Sequence, residues 1–243
     1  MKPLDAQTEA LVQQLQAMGF RPAHQIPLEE SRRGLTAMAL QMAGPKVAVH
    51  ATEDRRIPGP GGEIPVRIYR PRPAAAGERL PAVVYFHGGG FYLGDLETHD
   101  HVCRALCHGS GALVIAVDYR LAPEHKYPAA VDDAYAAVKW ASRNGEQYGF
   151  DGQRIAVMGD SAGGTLAAVA SMRARDENGP AIQLQVMVYP VLDHDYETDS
   201  YGQFGSSWGV LTRTDMIWFH CHYVSHPDHL DQPYASPLRC ADL

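Results

Sequence analysis

Two short segments carry residue types whose order suits acyl transfer: His87-Gly88-Gly89-Gly90, then Gly159-Asp160-Ser161-Ala162-Gly163-Gly164. A serine hydroxyl is a poor nucleophile. A site that uses one must expose it on a rigid turn, set a base beside it and aim donors at the carbonyl oxygen that turns negative. Gly159-x-Ser161-x-Gly163 meets the first need, because the small residues around Ser161 are what a crowded strand-to-helix turn tolerates. The glycines after His87 meet the third, since a chain without side chains can turn its amides into a pocket. Ser161 is therefore the expected nucleophile, and the N–H groups of Gly88, Gly89 and Ala162 are the expected oxyanion donors. Either segment alone is commonly just a turn; both in this order, each after an apolar strand, describe one reaction.

The elements that must position them follow from periodicity. Apolar runs at 82–86, 113–117, 155–158 and 184–189 have the length and composition of strands buried on both faces of a parallel sheet. Helix-like stretches at 99–107, 129–144 and 162–175 alternate with them, which predicts a doubly wound α/β sheet with right-handed crossovers. Ahead of these, strands at 47–50 and 64–69 flank the turn-rich Pro58-Gly59-Pro60-Gly61-Gly62 and read as a hairpin. Two amphipathic helices come first. Leu11, Val12, Leu15 and Met18 form one stripe, opened by Asp5 and closed by Gly19; Leu35, Met38, Ala39 and Met42 form another, after Pro27 and before Gly44. Residues 192–209 are polar and irregular in pattern, and 212–223 reads as a helix capped by Thr212.

A chain of 243 residues, 45% hydrophobic, supports one sizeable core. A formal charge of -7 argues against a nucleic-acid partner and suits action on small molecules. The N-terminal residues lack the apolar core of a signal peptide and no segment has the apolar length of a membrane span, so a cytoplasmic location is expected. Cys103, Cys107, Cys221 and Cys240 are too few and too irregularly spaced for a disulfide framework and are expected to be free thiols.

The segments Phe86-His87-Gly88-Gly89-Gly90-Phe91, Asp118-Tyr119-Arg120-Leu121-Ala122-Pro123-Glu124, Tyr127-Pro128-Ala129, the Ser161 elbow and Tyr189-Pro190 resemble those of bacterial hormone-sensitive-lipase-like carboxylesterases of the α/β-hydrolase superfamily. The resemblance implies N-terminal cap helices over residues 1–45 and a hydrolase core over 46–243, with a second cap segment at about 192–230. It further implies hydrolysis of short- to medium-chain acyl esters through an acyl-enzyme on Ser161, no metal or organic cofactor, and a structural role for His87 in shaping its loop. In that family the triad acid and histidine follow the segment that Tyr234-Ala235-Ser236-Pro237-Leu238 resembles. The acid, the base and the last two strand-helix units are accordingly expected beyond Leu243, and the chain to be C-terminally incomplete. A sheet edge left at 184–189 would invite a homodimer. Asp160 cannot serve as the acid, since neighbouring side chains diverge in an elbow. His99, His101, His125 and His194 supply a base only if the fold carries one over Ser161. His220, His222, His226 and His229 with Cys221 lack the spacing of a zinc site. The competing readings are a non-catalytic small-molecule binding protein and an inactive truncated esterase; the intact Ser161 elbow favours the enzyme.

Overall fold

Strands that are apolar on both sides sit in the middle of the sheet, and polar ones are pushed to its edge. The computed structural model describes residues 5–19, 21–206 and 211–242. Its described strands are β1 (Ala51–Gly59), β2 (Gly62–Arg70), β3 (Leu80–Phe86), β4 (Leu113–Val117), β5 (Phe150–Asp160) and β6 (Ile182–Val188), in the order β1-β2-β4-β3-β5-β6. The β1–β2 and β2–β4 pairings are antiparallel, and β4–β3, β3–β5 and β5–β6 are parallel. β4 is buried at every residue, whereas β1 buries only Ile57.

The helices are α1 (Ala6–Ala17), α2 (Leu28–Met42), α3 (Asp100–Ser110), α4 (Ala129–Tyr148), α5 (Ala162–Asp176), α6 (Asp199–Phe204) and α7 (Arg213–Tyr223). Strand alternation divides the core between the two faces of the sheet. Val84, Phe86, Ile115 and Val117 pack with residues of α4 and α5, while Val83, Tyr85, Val114 and Ala116 pack with Cys103 and Cys107 of α3. The connection leaving β3 thus runs over one face and the one leaving β5 over the other. The gap between their carboxyl ends is where such sheets hold ligands.

The doubly wound, mostly parallel sheet expected from the apolar runs is present, with several boundaries moved. The first strand is β1 at Ala51–Gly59 rather than 47–50. The turn at Pro60 and Gly61 sets the pairing Gly59↔Gly62, and the register carries back to Ala51↔Arg70 through a run of charges. An edge strand can be held by such a register without apolar alternation, so no pattern announced it. Helix α6 falls in the stretch read as irregular; 207–210 of that stretch lie outside the described residues.

The N-terminal helices form where expected but pack differently. Asp5 Oδ1 accepts from the N–H groups of Gln7 and Thr8 at 3.0 and 3.1 Å, capping α1. Yet Leu15 is the one buried residue of the α1 stripe, with Leu11 and Met18 42% and 53% exposed. Polar links fasten this region instead. Arg32 of α2 donates to Tyr92 O at 3.0 Å, Ala122 O at 3.1 Å and both carboxylate oxygens of Glu124 at 2.7 and 2.9 Å. His24 meets Asp215 at the start of α7 through its backbone N–H (3.1 Å) and Nδ1 (2.8 Å). Among the described residues no helix is long and apolar enough to cross a membrane.

Candidate active site

Parallel pairing places the two chemistry-bearing segments side by side. β3 and β5 are neighbours in the register Phe86↔Gly159, so the residues that follow, His87-Gly88 and Asp160-Ser161, emerge together at the carboxyl end of the sheet. Ser161 then turns the chain into α5 with φ 54 and ψ -121, a left-handed backbone that side-chain-bearing residues seldom adopt. Its N–H donates to Val188 O at 2.9 Å, which ties the turn to the end of β6. The approach of helix to strand is close: a Cβ on Gly163 would lie 2.0 Å from Phe86 O, and one on Gly159 2.2 Å from Gly163 O. The small residues flanking Ser161 are thus required by contact as well as by the turn.

The glycine loop is held from behind. His87 is buried, and its Nδ1–H donates to Gly88 O at 2.8 Å; Tyr119 stacks on the ring at 4.3 Å and donates its hydroxyl to His87 O at 2.7 Å. Burial pushes the His87 imidazole down to about 4, so the ring is neutral at ordinary pH. Asp160 forms the second support. Its Oδ1 accepts from Tyr85 Oη at 2.6 Å and from the Gly88 N–H at 3.0 Å, and Oδ2 lies 3.5 Å from His99 Nε2. Burial works against the Asp160 charge, but the contacts of His99 and Tyr85 outweigh it and hold the carboxyl below its ordinary value. The residue before the expected nucleophile thereby links the elbow to the glycine loop, a role its place in the sequence did not reveal.

That link corrects one expectation. The Gly88 N–H is committed to Asp160 and cannot also meet a reacting carbonyl. The N–H groups of Gly89, Gly90 and Ala162 have no partner among the described residues. Gly89 has φ 129, and a Cβ there would lie 2.2 Å from Leu93 O, so the turn that presents these amides needs a glycine. A cavity of about 160 Å³ opens here, lined by Ser161, Gly89, Gly90, Leu35 of α2, and Met216, Phe219 and His220 of α7.

Of the histidines considered as bases, none lines this cavity. His99 sits behind the elbow on Asp160, His194 meets Ser236 at 3.1 Å with Asp193 and Asp231 near, and His125 lines a separate cleft with Arg32 and Asp118. His220 and His222 diverge: His220 Nδ1 meets the Tyr196 hydroxyl, whereas His222 Nδ1 bonds Trp218 O at 2.8 Å. His220 is the pocket residue that spacing could have found, because Met216, Phe219, His220 and Tyr223 form a helical stripe.

This arrangement of sheet, elbow and glycine loop defines an α/β hydrolase. The chain matches the alpha/beta hydrolase fold family over residues 83–243 and belongs to it, as the motifs implied. It is 46% identical over 220 residues to the carboxylic ester hydrolase LipN of Mycobacterium tuberculosis, covering 88% of this chain and 57% of that protein. It is 48% identical over 180 residues to the esterase LipI of the same organism, covering 74% of this chain and 55% of the relative. The chain thus spans little more than half the length of these curated relatives. A solved esterase of Pyrobaculum calidifontis superposes with a TM-score of 0.89 at 46% identity, covering 99% of this chain and 76% of that one.

Proposed function

We propose that this chain carries the nucleophile and oxyanion portion of a hormone-sensitive-lipase-like serine carboxylesterase acting on short- to medium-chain acyl esters. The observation that carries the reading is the left-handed backbone of Ser161 at a strand-to-helix turn, in one cavity with Gly89 and Gly90, whose N–H groups, like that of the adjoining Ala162, have no partner among the described residues. Ser161 attacks the ester carbonyl and gives its proton to the triad histidine that the family resemblance implies. The oxyanion is met by Gly89, Gly90 and Ala162, with the N-terminus of α5 adding its dipole. Its collapse expels the alcohol, protonated by that histidine, to leave an acyl-enzyme that water hydrolyses. His87 and Asp160 keep the loop in place and take no part in bond making. The helices before residue 46 and the segment at about 192–230 roof the cavity as a cap. The esterase names of LipN and LipI support the reaction class, and four unpaired cysteines suit a cytoplasmic setting.

The test is covalent. A fluorophosphonate probe acting on a complete, active form of this protein should modify Ser161 alone, located by peptide mass spectrometry, and Ser161→Ala in that form should abolish both labelling and hydrolysis of p-nitrophenyl butyrate. Labelling at Ser171 or another serine would overturn the assignment.

A further inference from the structure

The cavity beside Ser161 has an apolar roof broken by one imidazole. Leu35, Val191, Met216 and Phe219 supply hydrocarbon and aromatic surface, and His220 stands among them. It is 4% exposed. Burial, reinforced by nearby His194 and opposed by Asp193, pulls its pKa down to about 4, so the ring is neutral at ordinary pH. A neutral imidazole has one donor nitrogen and one acceptor nitrogen. Nδ1 is bonded to the Tyr196 hydroxyl. Nε2 has no partner among the described residues, and the ring lines the cavity. A phenol is the better donor of this pair and an imidazole nitrogen the better acceptor, so Tyr196 donates to Nδ1 and the ring proton resides on Nε2. The result is a fixed N–H donor facing a space otherwise suited to hydrocarbon, and binding a plain alkyl group there would strip it of water without replacement.

We propose that His220, oriented by Tyr196, is a specificity-determining residue that selects esters bearing an additional oxygen acceptor, such as an ether, keto or hydroxyl oxygen, in the group that fills this cavity. The proposal rests on the reading of Ser161 as the nucleophile and names the substrate class of that site. It explains why a polar side chain is kept on the buried stripe of α7, where Met216 and Phe219 show that apolar residues fit.

The experiment uses ester pairs that differ by oxygen for methylene. On the acyl side these are p-nitrophenyl methoxyacetate and p-nitrophenyl butyrate; on the alcohol side, 2-methoxyethyl acetate and butyl acetate. In a complete, active form of the protein, the ratio of kcat/KM within each pair, divided by the ratio for hydroxide hydrolysis, should exceed one for at least one pair. It should fall about tenfold in His220→Leu and in His220→Phe, the loss of one hydrogen bond. Ratios within twofold of the unmodified protein's in both variants, for both pairs, would overturn the proposal. Binding of ethyl methoxyacetate and ethyl butyrate, and of the two acetates, to Ser161→Ala gives a second readout that needs no turnover. A preference there that His220→Leu removes, together with hydrolysis by a complete, active form of the protein that survives Ser161→Ala, would uphold the donor and sink the nucleophile reading. Ser161-dependent hydrolysis with no His220-dependent preference in either readout would do the reverse.

Discussion

Helices α2 and α5 are both 15 residues long and both approach the same cavity, yet they are held by different physics. Every residue of α5 is buried except Ser171, Arg173, Arg175 and Asp176, and its alanines and glycines let it lie directly on β5 and β6. In α2 only Ser31 is buried. What mainly fastens α2 is the set of bonds that Arg32 makes with Tyr92, in the loop after β3, and with Ala122 and Glu124, in the loop after β4. The floor of the site is therefore fixed by close packing, which fails cooperatively, and the N-terminal wall by a few polar contacts, which can open locally.

The largest effect should come from disturbing the packed side. Gly163→Val forces a side chain into Phe86 O, 2.0 Å from its Cβ, and neither partner can move without shifting β3 from β5. Urea unfolding should show a loss of at least about 4 kcal/mol, or no folded protein at all. A loss below about 1 kcal/mol would mean that helix and strand are not in close contact.

An intermediate effect is expected at the seam between the two regions. Asp118 shares a cleft with Arg32, Thr36 and Asp95, and burial, aided by the Asp95 charge, pushes its carboxyl up to about 6 from an ordinary 3.8. A folded-state value above the unfolded one means that the stabilising contribution is complete below about 3.8 and is lost as pH rises through about 6. Asp118→Asn removes that loss. It should be more stable than the unmodified protein by about 1 to 3 kcal/mol at pH 7.5, with the difference vanishing at pH 3.5. Equal stabilisation at both pH values would assign the gain to something other than ionisation.

The smallest effect should come from the clasp itself. The Glu124 carboxyl is half exposed, so Arg32→Ala should cost only about 1 kcal/mol of global stability. Hydrogen exchange should nevertheless quicken across α2 while α5 stays protected. Equal acceleration in both helices would erase the contrast between packed floor and clasped wall.

The legibility of the chain follows the same division. Strands buried on both faces announce themselves as apolar runs, and the nucleophile elbow is legible because it compresses a strand end, a tight turn and a helix start into six neighbouring residues. The turn announces the hairpin, but the apolar pattern puts its first strand at 47–50, because a register rather than alternation holds the charges of β1 in place. The stripes on α1 and α2 locate the helices and the faces turned inward, but these faces are only partly buried, with Leu15 in α1 and Leu35 of α2 at the cavity, since periodicity reports a helix and not how closely its partner packs.

Residue order by itself determined the class of sheet, the serine on its turn and the glycine loop, because each depends on local sterics within a few residues. Which amides remain free, what Asp160 does and what partner His220 takes were decided only by tertiary structure. Asp160 and Gly88 are 72 residues apart, and His220 meets Tyr196 across 24. Such contacts arise from the pairing of β3 with β5 and the docking of α7, and no spacing along the chain encodes the distance between groups that only folding brings together.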